Sequence, residues 1–299
     1  MSATFGPGST GDPVQIRGLT KSYRGLPAVA GLDLQIHRGE VFALLGPNGA
    51  GKTTTVEILE GYRNRDGGEV SVLGEDPQQA DRAWRSRIGI VLQSSTENAE
   101  LTVQEMVVHF ARYYPHPRDP DEVIAAVGLQ DKRSARTRAL SGGQRRRLDV
   151  ALGIIGAPEL LFLDEPTTGF DPQARRSFWD LVRALRVDGT TIVLTTHYLD
   201  EAEQLADRVG VISSGRLLAV DTPAGLGGQS AHRVRVRWTD ADGLLHEEVT
   251  ANPTRMVTEL AARHDGEVPG LEVLRPSLED VYLSMIDGDT TDAALAVTP

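Results

Sequence analysis

An apolar run, Val41-Phe42-Ala43-Leu44-Leu45, leads straight into Gly46-Pro47-Asn48-Gly49-Ala50-Gly51-Lys52-Thr53-Thr54, and this junction constrains the fold more than any other stretch of the chain. A short apolar run bounded by glycine reads as a buried parallel strand. The glycines that follow permit backbone angles that place successive N–H groups around one anion. A helix starting near Lys52 adds the partial positive charge of its N-terminus. Lys52 then offers a full charge to the β- and γ-phosphates of a nucleotide, and Thr53 offers a hydroxyl to Mg²⁺. Gly-Lys-Thr at a helix start has little use in a purely structural turn. Strand, loop and helix in this order predict a phosphate-binding loop.

Three further apolar runs, Ile88-Gly89-Ile90-Val91-Leu92, Leu160-Leu161-Phe162-Leu163 and Thr191-Ile192-Val193-Leu194, read as buried strands separated by helical segments. They predict an α/β core around a mostly parallel central sheet. Leu32, Leu34 and Ile36 alternate with Asp33, Gln35 and His37, and residues 69–73 alternate as well, as half-buried antiparallel strands would. Between the strands, Val103, Met106, Val107 and Phe110 have helical spacing and place an inserted helical subdomain at about residues 95–150.

The run 160–163 ends in Asp164-Glu165. On an extended strand neighbouring side chains point to opposite sides. Asp164 can therefore face a metal while Glu165 orients or deprotonates an attacking water. Asp-Glu followed by Pro166 could also be an exposed acidic turn, but an apolar strand ending this way opposite a phosphate loop is the more specific pattern.

A second glycine-rich helix start is spelled Leu140-Ser141-Gly142-Gly143-Gln144, ahead of a helical segment from Arg145. It is a second anion site with no base-binding neighbour, which makes sense if it serves another subunit. Phosphate loop, this pentapeptide and the Asp-Glu strand, in this order, resemble the ATP-binding cassette (ABC) family of P-loop NTPases. The resemblance implies ATP and Mg²⁺ as ligands and a homodimer packed head to tail. Each ATP would lie between Gly46–Thr54 of one copy and Ser141, Gly142, Gly143 and Gln144 of the other, so that affinity between copies depends on ligand. It also implies Tyr23 as the aromatic that stacks on adenine, although a Tyr there could equally pack on the antiparallel sheet. Gln93 would contact metal and water and begin the loop that senses a transmembrane partner. His197, unique among the seven histidines in following a core strand, would contact the γ-phosphate. Asp171 would sit in the loop crossing the dimer interface. ATP rather than GTP follows from the resemblance, and no Asn-Lys-x-Asp guanine-reading motif is present.

Composition sets outer limits. With 299 residues and a net charge of −11, bulk electrostatics do not favour nucleic acid, and no nucleic-acid partner is expected. Arg133, Arg136, Arg138 and Arg145 to Arg147 make a local basic cluster, which reads better as a solvated helix face than as a nucleic-acid or lipid contact. Cysteine is absent, which removes disulfides and thiolate metal sites. No apolar run reaches the roughly 18 residues of a membrane span. The small, polar start lacks a signal-peptide plan, so a cytoplasmic location is expected, peripheral to the membrane through a partner.

The expected domain plan is a disordered leader over 1–12, an ATPase domain over 13–223, a linker over 224–231, an α+β accessory domain over 232–286 and a disordered tail over 287–299. In the accessory domain, Ser277 and Asp280 form a helix cap, with Leu278, Val281, Tyr282 and Met285 on one face. This segment resembles that of ATPase subunits of ABC-2-type exporters, the daunorubicin-type drug-resistance group. The resemblance implies an ATPase subunit coupled to a separate polytopic permease, exporting a drug or other hydrophobic substrate. The polar residues 94–101 depart from what a partner-contacting stretch should look like. The alternative is a soluble regulatory or nucleic-acid-remodelling ABC ATPase, although the chain has neither a coiled-coil insertion nor a second cassette. A third reading makes 232–286 a small-molecule sensor.

Overall fold

The computed structural model describes residues 11–91, 100–228, 234–240, 242–264 and 266–295. The leader over 1–10 and Gln93 lie outside them. The chain forms two compact units, Met1–Val220 and Asp221–Pro299.

In the first unit, β1 (Val14–Tyr23) and β2 (Leu26–Ile36) form a hairpin, followed by β3 (Val41–Leu45) and α1 (Lys52–Leu59). Next come β4 (Gly67–Val72), the short α2 (Arg82–Arg85) and β5 (Ile88–Val91). The helical insertion holds α3 (Val103–Ala111), α4 (Pro120–Ala126) and α5 (Gly142–Ile154). The unit closes with β6 (Leu160–Asp164), α6 (Pro172–Val187), β7 (Thr191–Thr195), α7 (Leu199–Leu205), β8 (Arg208–Ser213) and β9 (Arg216–Asp221), whose last residue falls in the second unit.

The central sheet has strand order β5-β6-β7-β3-β8-β9, and the pairs β5–β6, β6–β7, β7–β3 and β3–β8 are parallel. β3 and the interiors of β6 and β7 are apolar because both faces are covered. Phe42, Leu44, Leu160, Phe162 and Val193 pack into one core with the antiparallel sheet β2-β1-β4 and α1. Val41, Leu161, Leu163, Ile192 and Leu194 pack into another with residues of α3, α4, α5 and α6. Side chains of one strand thus serve two cores by simple alternation. Two expectations fail locally. β5 is an edge strand, so Ile90 is exposed rather than buried. In β4, Ser71 is buried between Val70 and Val72, so the half-buried alternation is lost there.

The helical insertion is tied together at its base. Val103 N–H donates to Ala135 O at 3.1 Å and Thr137 N–H donates to Leu101 O at 2.9 Å, which joins the start of α3 to the segment leading into α5. Thr102 and Glu105 cap α3 reciprocally.

In the second unit, β10 (Val234–Thr239) lies between β11 (Leu245–Thr250) and β12 (Glu272–Leu274) in an antiparallel sheet. Val234 and Val236 pack with Leu260 of α8 (Pro253–Arg263). Helix α9 (Leu278–Leu295) opens on the expected cap, Asp280 N–H donating to Ser277 Oγ at 3.1 Å. It runs through residues 287–295, where a disordered tail was expected. No proline interrupts this stretch, and Ala293, Ala294 and Leu295 favour helix. Asp12, placed in the leader by its neighbours, hydrogen-bonds His37 Nδ1 at 2.9 Å.

Candidate functional site: a nucleotide cleft and a separate helix start

The carboxyl ends of β3, β6 and β7 open together on one edge of the sheet, where ligands bind in parallel α/β folds. Tyr23, Asn48, Gly49, Gly51, Lys52, Thr53, Thr54, Asp164, Glu165 and His197 line one cleft of about 730 Å³ there, with Ala28. Gly46, Pro47 and Ala50 complete the loop. A Cβ at Gly46 would lie 2.3 Å from Ile212 O, and one at Gly51, whose φ is +106°, 2.4 Å from Ala28 O. Space therefore demands glycine at both positions, and at Gly51 the backbone angle demands it as well. Gly51 is also the N-cap of α1 and offers no side-chain cap, so the first N–H groups of the helix face the cleft.

Lys52 Nζ donates to Gly46 O at 2.6 Å and to Pro47 O at 3.1 Å. Burial pulls its pKa below the ordinary value, while the charges of Glu165 and Asp164 oppose that shift. An anion in the loop would reverse the balance, since it offers the ammonium a stronger partner than two carbonyls. Asp164 ends β6 and accepts a hydrogen bond from Thr195 Oγ1 at the end of β7. Glu60, the C-cap of α1, is buried with its pKa raised to about 8, chiefly by desolvation and then by the charge of Asp164.

Glu165 departs from the simple strand picture. Its N–H donates to Thr195 O at 3.0 Å, but its φ is +46°, in the left-handed region that non-glycine residues avoid. The chain turns at this residue rather than after it. Glu165 Oε1 lies 3.3 Å from His197 Nδ1. A carboxylate and an imidazole that close touch directly, so the imidazole can orient the carboxylate that takes a proton from water.

The second helix start lies elsewhere. Ser141, Gly142, Gly143 and Gln144 do not line the cleft, and neither does Asp171. Ser141 is the N-cap of α5: Gln144 N–H donates to Ser141 Oγ at 3.3 Å, and Ser141 N–H to Gln144 Oε1 at 3.1 Å. Ser141 and Gly142 are exposed. Asp171 caps α6 by accepting from Ala174 N–H at 2.8 Å, and Phe170 beside it packs edge-on to Phe178.

Comparison with known proteins fits this geometry. The model of the ABC transporter family matches residues 29–168. The daunorubicin/doxorubicin resistance ATP-binding protein DrrA of Streptomyces peucetius is 41% identical over 95% of this chain and 92% of its own length. The chain belongs to the ABC transporter family. It is an ATP-hydrolysing ATPase of that family. The Nod factor export ATP-binding protein I of Ralstonia nicotianae is 39% identical over 96% of this chain and 98% of its own length. Among solved structures, an ATP-binding subunit of an ABC transporter covers 91% of this chain and 98% of its own, at 20% identity and a TM-score of 0.68. A dimeric ATP-binding cassette in a post-hydrolysis state, bound to ADP and Pi, covers 70% of this chain at 23% identity and a TM-score of 0.64.

Sequence reading overlooked several residues of this cassette. Thr195, which holds Asp164, carried no signal because threonine is an ordinary strand residue. Arg146 was grouped with a solvated basic face, but it is 6% exposed. Its guanidinium donates to Asp164 O and, at 3.1 Å, to Pro166 O. Burial lowers its pKa, against the charges of Asp149, Asp164 and Glu165. Helical period places Arg146, Val150 and Gly153 on one buried stripe, a signal present in the sequence.

Proposed function

We propose that the chain is the energising subunit of an exporter, working as a head-to-tail pair with each ATP held between the cleft of one copy and the Ser141 helix start of the other. The observation that carries this reading is the separation just described. One chain holds a phosphate loop with its hydrolytic carboxylate in one place, and a second exposed, glycine-rich helix start in another.

Within the cleft, the loop from Gly46 to Thr54 wraps the phosphates and Lys52 neutralises them. Tyr23, half exposed at the cleft wall, offers its ring to the base. Thr53 and Asp164 are the donors for Mg²⁺. Among the described residues no group of three or more His, Asp or Glu side chains forms a metal cage. That matches a magnesium ion, which takes few protein oxygens and completes its shell with phosphate and water. Bound there, it would neutralise charge on the phosphates. Glu165 orients and deprotonates the attacking water, and His197 holds Glu165 and the γ-phosphate in register. Ser141, Gly142, Gly143 and Gln144 of the second copy close over the γ-phosphate, with Asp171 at the crossing.

No helix among the described residues is long and apolar enough to cross a membrane. A separate polytopic permease therefore supplies the pathway, with the ATPase peripheral on the inner face of the membrane. The drug-resistance and Nod-factor-export relatives support export, and a drug or other hydrophobic compound as cargo. The test is capture of the tagged chain from native membranes in mild detergent. Stoichiometric recovery of a polytopic membrane protein is the expected result. Recovery of soluble partners alone would assign the chain to regulatory ATPases instead.

A further inference from the structure

The fully buried carboxyl group of Glu201, in the first turn of α7, has no part in the reading above. Glu201 is 0% exposed, and Thr167 and Thr196 are each 1% exposed. Thr167 lies two residues beyond Glu165, and Thr196 immediately precedes His197. Both hydroxyls approach the Glu201 carboxyl, as does the indole N–H of Trp179 on α6. The approach is loose. Both Glu201 oxygens, Thr167 Oγ1 and Trp179 Nε1 are buried and make no hydrogen bond. Thr196 Oγ1 already accepts from Tyr198 N–H at 3.0 Å, which leaves its own O–H as a donor that a small rotation can turn toward that carboxyl. Arg175 borders the group, with its guanidinium 4.7 Å from the Tyr198 ring centre and 3.2 Å from Asp200 Oδ2.

A buried carboxyl is costly unless its neighbours satisfy it, so an apolar side chain here would stabilise the fold better if packing were its only task. What Glu201 does reach is both loops that end in the hydrolytic pair. The turn after Glu165 is closed by Phe170 N–H donating to Thr167 O at 3.0 Å, so a shift of Thr167 moves that whole turn. We propose that Glu201 is a positioning residue whose buried carboxyl registers the Thr167 turn against the Thr196 loop, and thereby sets Glu165 against His197. The proposal rests on Glu165 and His197 being the hydrolytic pair.

The test is steady-state ATP hydrolysis by the full chain, with nucleotide affinity measured separately by a fluorescent ATP analogue and folding by thermal melting. Glu201→Ala should lower kcat at least tenfold while nucleotide affinity stays within about twofold, because the phosphate loop is untouched. Glu201→Gln keeps an acceptor of the same shape and should recover most of kcat. Thr167→Val and Thr196→Val, which keep volume and remove one hydroxyl each, should lower kcat severalfold without loss of affinity. Glu165→Gln serves as the control: if it hydrolyses normally, the hydrolytic assignment fails and not the positioning role. A folded Glu201→Ala protein with unchanged kcat would overturn the proposal. Should Glu201→Ala not fold, wild-type kcat in both valine variants would overturn it equally.

Discussion

At the start of α1 the free N–H groups are left open, whereas at the start of α5 they are closed by the chain itself. Gly51 gives α1 no side-chain cap, and the Lys52 ammonium lies across the loop on the carbonyls of Gly46 and Pro47. Ser141 and Gln144 give α5 a complete reciprocal cap. The first helix start thus keeps its donors exposed in a site assembled within one subunit. The second is stable without a ligand and can stand on an open surface until a partner arrives. Both spell glycine-rich sequence ahead of a helix. What separates them is whether a side chain at the cap position competes with the anion.

The strongest way to break this comparison is at the open site. Lys52→Ala should weaken ATP binding by about 100-fold or more, the usual scale for removing one partner of a desolvated charge pair. Fluorescence titration with an ATP analogue measures it, and unchanged affinity would remove Lys52 from the phosphates. Glu165→Gln should reduce hydrolysis by about 100-fold, the lower end of what general-base loss costs. ATP-dependent pairs should then accumulate in analytical ultracentrifugation; a variant that stays single in ATP and Mg²⁺ would refute the paired arrangement. At the capped site, Ser141→Ala should cost about 1 kcal/mol of stability through loss of the cap. It should lower hydrolysis while leaving single-chain ATP affinity intact, so equal losses in both would place Ser141 inside its own cleft.

The smallest effect concerns pH. Glu60 keeps its proton in the fold up to about pH 8, whereas the unfolded chain releases it near 4.5. Between those values the folded state binds the extra proton, so its stability falls as pH rises, by about 1.4 kcal/mol per pH unit. In nucleotide-free protein, Glu60→Gln should match wild type near pH 5 and melt several degrees higher at pH 8. Parallel melting curves across that range would exclude a buried neutral Glu60.

The contrast also explains what could be read in advance. The parallel sheet, the loop and the helical insertion were legible because unbroken apolar strands and glycine at fixed offsets leave few alternatives. The cleft residues followed, since strand ends in such a sheet converge. Less visible were groups whose importance comes from burial in three dimensions. Arg146 looks like its exposed neighbours until α5 docks, and Glu201 stands in a run of acids, Asp200-Glu201-Ala202-Glu203, that reads as an ordinary solvated helix start. Glu165 misled in another way: period-two alternation assumes extended backbone, and the strand stops one residue earlier.

Arg146 gives the chain a property neither helix start has alone. It sits one turn into α5 and grips the carbonyls of Asp164 and Pro166, so the helix that starts at Ser141 is bolted to the strand end that carries Glu165. In the head-to-tail pair proposed above, that link would give each chain a rigid lever between the two nucleotides. If the chain pairs as proposed, loosening that grip by Arg146→Ala should uncouple the two sites, and ATP hydrolysis would lose any dependence of one site on the other.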